Sequence, residues 1–271
     1  MESKGKEKKP EAKKIIVSKP FLTGDPYDPS VLKSALLVLV SLFAMAVLYL
    51  IVCGVMIFDA LWLRVAVNGL VVFVTLAVFY SSGLSQGSIA VNNGEIMYHR
   101  RETGAEVTKS ELARCYHPLK GFLIGVLGTV PLLLCAIILA VLAKKQITGF
   151  GALPSWMTSL ETRESIGDAL VYYHTATPLG VEGVVRILVR LSLMPYVNMV
   201  GATNADGLLL LEHLSPILVL FPGLAYGGGY TQGVKVREKV HTDIARNTRK
   251  KARKNQKARK ARAARGTIEL N

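Results

Sequence analysis

The chain has 271 residues, 51% of them hydrophobic, with 33 Lys and Arg against 19 Asp and Glu for a formal net charge of +14. That is too apolar for an ordinary soluble domain and selects a polytopic membrane protein. The charge is a segment property: from Lys235 onward fourteen Lys and Arg face three acids, so it speaks about partners rather than fold.

Residues 1–33 form a polar, Lys-rich arm carrying Pro10, Pro20, Pro26 and Pro29. Its composition predicts disorder or loose attachment to a surface. The run 34–57 holds no charge over 24 positions, enough to cross a hydrocarbon core of about 30 Å. It exceeds a signal-peptide core and lacks an A-x-A cleavage site, so we expect a retained span. Asp59 and Arg64 bracket a short turn, and 61–82 reads as the second span, making 34–82 a transmembrane hairpin.

Residues 83–120 change character and are expected to be a loop outside the lipid. Asn93-Gly94 between SIAV and EIMY predicts a small hairpin. Thr108 with Glu111 predicts a capped helical turn. The third span is expected at 121–143, with a kink at Pro131. Region 144–206 reads as a loop with interfacial aromatics (Trp156, Tyr172, Tyr173, beside His174) followed by an amphipathic segment at 181–200. There Glu182, Arg186 and Arg190 are four apart, on one helical face. The fourth span is expected at 207–230, its apolar core at 207–226 interrupted by Glu212, His213, Pro216 and Pro222, with Gly227 to Gly229 as a flexible joint. Residues 231–271 form the basic tail.

Topology follows from the positive-inside rule. A Lys-rich N-terminus and a basic C-terminus both favour the cytoplasmic side, so the number of crossings should be even. The expected fold is therefore all-α and polytopic. It has four transmembrane helices, a re-entrant or interfacial amphipathic helix with its arginines at headgroup level, a small cytoplasmic hairpin loop and a basic C-terminal helix. Lys144 and Lys145, placed outside, sit poorly with this arrangement. Localisation in a bacterial inner membrane, with both termini cytoplasmic, is the expectation.

The tail carries the functional reading. Arg246, Arg249, Lys250, Lys251, Arg253, Lys254, Lys257, Arg259, Lys260, Arg262 and Arg265 are interleaved with alanines, all good helix formers. No large apolar residue falls between Ile244 and Ile268, so this helix has no face to bury in lipid. Such a segment suits an extended polyanion, with arginine forks pairing to phosphates. No aromatic lies between Lys235 and Arg265, so backbone and shape recognition of a structured RNA is expected rather than base stacking. Arg100 and Arg101, near Tyr98, His99, Tyr116 and His117, are a candidate second contact. The plainer reading is an anionic-lipid anchor, and for the aromatic residues strand-face or interface packing.

Arg64, Arg186, Arg190, Glu212 and His213 are expected as intramembrane polar groups, costly unless paired or functional. Pairing of Glu212 with Arg186 or Arg190 is the leading expectation, and an ion or proton path through Glu212 and His213 the alternative. Gly121-x-x-x-Gly125 and Gly223-x-x-x-Gly227 raise the possibility of a homodimer slightly. Cys53, Cys115 and Cys135 show no metal spacing and are expected as reduced thiols, His174 and His241 have no ligand-spaced partners, and no catalytic or cofactor fingerprint appears. No enzyme activity, cofactor or metal is expected.

In size class, span count, high pI and the run RKKARKNQKARKARAAR, the chain resembles the bacterial membrane proteins associated with OLE RNA, a large structured non-coding RNA. The resemblance is architectural and carries over no functional residue. It implies a scaffold that holds the RNA at the inner face of the membrane, as a homodimer, in a stress-response or metal-homeostasis role. A competing resemblance is to YidC-type insertases with basic ribosome-binding tails, for which Arg64 or Arg186 could serve as the groove arginine. The order and length of the spans here depart from that fold.

Overall fold

The computed structural model describes residues 18–55, 58, 60–143, 181–201 and 204–266, with side chains described for all of these except 55 and 259–266. Among them every regular element is a helix. In chain order they are α1 (Pro29–Val55), α2 (Leu61–Glu102), α3 (Lys109–Leu112), α4 (Pro118–Leu142), α5 (Val181–Ser192), α6 (Met194–Val200), α7 (Ala205–Thr231) and α8 (Gly233–Gly266). Among the described residues four stretches are long and apolar enough to cross a membrane, Pro29–Gly54, Leu61–Glu102, Pro118–Leu142 and Ala205–Ala258, and the bent pair α5–α6 makes a fifth if it counts as one span. The protein is an all-α, multi-pass membrane protein. Helices satisfy their own backbone, which lipid demands.

Local sequence explains where the spans begin. Pro118 opens α4, where its missing N–H costs nothing, and the His117 ring nitrogen accepts the Leu119 N–H at 3.3 Å. The Asn204 side chain accepts the Gly207 N–H at 3.0 Å and caps α7. Helix α7 is central, packed on α4 and α2, while α1 lies against α4. The main core joins Leu132, Ala136 and Leu139 of α4 to Val189 of α5, Leu193 and Val219 of α7.

Several boundaries differ from the sequence reading. The first span starts at Pro29, and the end of the N-terminal arm is pinned rather than loose: Leu22 N–H donates to Gly94 O at 3.1 Å and Gly24 N–H to Tyr116 O at 3.0 Å. The Asn93-Gly94 hairpin does not form, because α2 runs unbroken for 42 residues through that point. At 1.5 Å per residue it is about 63 Å long, twice the hydrocarbon core. Tertiary packing overrides the turn signal. Gly83 and Gly87 let α2 press its backbone against the carbonyls of Tyr226 and Tyr230, and Gly94 lies under Leu22. The capping box does form: Glu111 Oε2 accepts from Thr108 N–H at 3.0 Å and from its hydroxyl at 2.9 Å.

The joint expected at Gly227–Gly229 is also absent. These glycines lie inside α7, where Gly227 meets Phe122 and Gly229 the Tyr80 carbonyl, and the helix continues past Gln232 into α8. Gly125 and Gly223 approach each other backbone to backbone between α4 and α7, and Gly121 lies against Tyr230. Both small-residue motifs are thus consumed within the chain and no longer argue for a homodimer. The 181–200 segment is a bent pair, α5 and α6 meeting at 89°. Pro195, in the first turn of α6, cannot continue the hydrogen-bond ladder of α5. The turn at Asp59, the loop 144–180 with its lysines and aromatics, and the last five residues lie outside the described residues.

Candidate nucleic-acid interface

The basic arm is a direct extension of the bundle. Helices α2 and α7–α8 run parallel in constant register: Gly83 meets Tyr226, Gly87 meets Tyr230, and Glu95 meets Arg237 and His241. Helix α4 begins at the level of Tyr230, so past that point only α2, α8 and the segments that wrap them continue. Val234 packs with Ala90, Val91, Tyr116 and Tyr230. One turn further, Glu95 is held from both sides, by Arg237 Nε at 3.0 Å and His241 Nε2 at 2.7 Å, while Arg237 also donates to Asn92. His241 is 7% exposed.

Helix α8 then stands clear. Arg246, Arg249, Lys250, Lys251, Arg253, Lys254 and Lys257 are all exposed, and so is every other described residue from 246 to 258. A helix bared on all faces in water is held by propensity, and Ala, Lys, Arg and Gln supply it. Arg259, Lys260, Arg262 and Arg265 continue the same helix, their side chains outside those described. From Gly87 to the end of α2 the pair rises about 22 Å, and the lone part of α8 adds about 30 Å.

The register of the pair puts Arg100 and Arg101 at the level where the bare arm begins. Both are exposed, and Arg100 is engaged with Glu111 at 2.7 Å. The Thr108 N–H and hydroxyl, then Arg100, hold the Glu111 carboxyl below its usual range. Of the neighbouring rings, His99 is exposed and Tyr98 half-buried, whereas Tyr116 and His117 are taken up by the fold. Tyr116 is buried, stacked on Tyr230 with centroids 5.4 Å apart and edge-on to Phe21, and His117 caps α4. Burial raises the Tyr116 hydroxyl and the Cys115 thiol above their ordinary values. The sequence reading missed Glu95, Arg237 and His241 as the residues that aim the arm. A lone acid one helical turn from each of two partners on a distant segment leaves no local signature.

The intramembrane charges gather at the other end of the bundle. Glu212, 2% exposed, accepts from Arg186 Nε at 2.9 Å and from Arg190 Nη2 at 2.5 Å, with Glu182 on the far side of Arg186 at 3.1 Å. The arginines are buried against α7, on the face of α5 that turns inward. Arg190 Nε and Nη1 are buried with no hydrogen-bond partner among the described residues. His213 is exposed on a different face of α7 from Glu212, its Nδ1 2.9 Å from Ala140 O. Arg64 reaches Val200 O at 3.5 Å from the start of α2. Cys53, Cys115 and Cys135 are free thiols, and no cluster of metal-ligating side chains occurs among the described residues. Comparison with known proteins finds no family model that matches the chain, and no curated protein or solved structure that does.

Proposed function

We propose that this protein binds a structured non-coding RNA and tethers it, as a ribonucleoprotein, to the cytoplasmic face of a bacterial inner membrane. One observation carries the reading: a cationic helix, bare on every face over its described side chains, that extends past the end of α2; with the lipid surface taken at the level of Gly87, the arm stands off from it. The lone part of α8 begins about 22 Å beyond the level of Gly87. That is more than two Debye lengths at physiological salt, where a lipid surface attracts little. A free polyanion is the better partner, and Arg and Lys on all sides of a rod suit the phosphates that line an RNA groove or junction. Arg100 and Arg101 add cations where the rod begins. The reading takes four crossings, which leaves both ends of the chain on one side, and the positive-inside rule favours the cytoplasmic side for so many cations.

The test is crosslinking and sequencing of RNA bound to the full-length protein in cells, beside a chain lacking residues 246–271. One dominant non-coding RNA, lost on truncation, is the expected result. A bulk of ribosomal RNA instead points to a ribosome-binding insertion factor. No RNA above background in either chain removes the reading and directs attention to transport through Glu212.

A further inference from the structure

Helices α1 and α2 are joined as a hairpin but do not lie together along their length. At the end remote from the arm they are bonded, Tyr49 hydroxyl to Thr75 hydroxyl at 2.7 Å and Cys53 Sγ to Asn68 Oδ1 at 3.7 Å. Toward the arm they part, α1 resting on α4 and α2 on α7. The gap is a cleft of about 310 Å³ that opens sideways between the two helices. Ser34, Ser41 and Ala44 of α1 and Ser82 and Gln86 of α2 line it, with Tyr226 of α7 among the lining residues. Leu37, Val38, Met45, Val78 and Phe79 make the rest of the wall apolar.

We propose that this cleft is a binding site for one anionic phospholipid of the leaflet at the arm end, an acyl chain lying in the cleft and the headgroup at its mouth. Length argues for it. Ser34 to Met45 spans about 16 Å of helix, close to half of a hydrocarbon core of about 30 Å, so the cleft is as deep as a single leaflet. A transmembrane helix of a partner, about 10 Å across, would have to continue through the other leaflet, where the Tyr49–Thr75 and Cys53–Asn68 contacts close the hairpin. The chemistry runs in the matching order. Met45 and Val78 lie deepest, while Ser34 and Gln86, donors for ester and phosphate oxygens, lie at the interface end with Ser82 one turn below Gln86; Ser41, midway down, spends its hydroxyl on the Leu37 carbonyl at 2.8 Å. Exposed Lys33, beside Ser34 in the first turns of α1, supplies a cation at headgroup level. Lys120, near the start of α4, is buried and committed to Asp28, Ser30 and the Ala113 carbonyl, so it does not serve the site.

The experiment equilibrates the full-length protein in bilayers of mixed phosphatidylglycerol and phosphatidylcholine, then counts lipid retained in detergent by native mass spectrometry. The expected result is one phosphatidylglycerol per chain. Lys33→Gln, a surface change, lowers the preference for phosphatidylglycerol about fivefold, the value of one cation near an anionic headgroup. Ser41→Leu with Ser82→Leu fills the cleft and abolishes retention. Should that variant not fold, a photoactivatable phosphatidylglycerol on the wild-type chain decides, labelling 34–45 and 78–86 above all other lipid-facing segments. Retention without headgroup preference, retention unaltered by Lys33→Gln, or labelling spread evenly over the four spans would overturn the proposal.

Discussion

Gly87 of α2 lies so close to Tyr230 of α7 that a Cβ at position 87 would overlap the Tyr230 carbonyl oxygen. The same holds for Gly83 and Tyr226 one turn away. Gly87→Leu should therefore force the seam apart, and overpacking of a close contact typically costs about 1–3 kcal/mol. Thermal unfolding in detergent should show a lower midpoint. Gly228→Ala, at a position with nothing within reach of a Cβ, should leave the midpoint unchanged.

Glu212 is the shared acceptor for two buried arginines. Glu212→Ala leaves both guanidinium groups in a dry interior with one half-exposed partner, Glu182. Breaking a buried pair from one side costs about 3–5 kcal/mol. The variant should unfold at lower temperature or fail to accumulate in membranes. Whatever remains folded should bind RNA as the parent does, since the arm lies at the opposite end of the bundle. Equal loss of RNA affinity in the folded fraction would tie the two ends together.

Glu95 aims the arm. In Glu95→Ala, Arg237 and His241 lose their common acceptor, and α8 is held at its root mainly by Val234 and its neighbours. Spin labels at positions 98 and 246 should report one narrow distance in the parent chain and a broadened distribution in the variant. An unchanged distribution would mean that packing around Val234 alone directs the helix.

RNA affinity should fall steeply with salt. For single-stranded or duplex contacts the slope of log K against log salt is about −0.7 to −0.9 per phosphate neutralised. Replacing Arg249 or Arg253 by Gln should weaken binding across RNA sequences and reduce the slope by about 1 each. A substitution that lowers affinity without moving the slope would place that residue outside the phosphate contacts.

Acid should loosen the collar around α3. The folded-state Glu111 carboxyl is held below its ordinary value by the Thr108 N–H and hydroxyl. A depressed carboxylate contributes stability above its unfolded value, and that contribution is lost as pH falls through the folded value. The capping box should thus persist through the neutral range and open only in acid, below the range in which an ordinary glutamate titrates. NMR of the Thr108 amide should follow the Glu111 titration, and Thr108→Ala should return the Glu111 midpoint toward that of a free glutamate.

The spans were legible because lipid imposes a simple demand: an uncharged run long enough to cross has little alternative to a helix. The Arg186, Arg190 and Glu212 cluster was legible for the same reason, since four-residue spacing fixes a face and buried charge must find its opposite. What sequence reading lost was the continuity of α2. Asn93-Gly94 between β-formers carries a strong local turn signal, yet Gly83, Gly87, Ala90 and Gly94 recur at helical spacing along one face. That stripe of small residues was the available sign that a second helix presses there. The pinned segment 18–28 was hidden because its anchors, Gly94 O and Tyr116 O, are backbone groups with no signature in composition.

The parallel register of α2 and α8 has a mechanical consequence. Because both helices leave the bundle in the same direction, a force drawn along the arm acts in shear on the seam between them. The contacts from Glu95 down to Gly83 share that load and must yield together, whereas a hinged tail would peel from its root one contact at a time. Helix α8 is also continuous with α7, so the same pull is transmitted to a membrane-crossing helix clasped by α2 and α4. Pulling on the arm thus meets the resistance of the whole seam rather than that of a single joint.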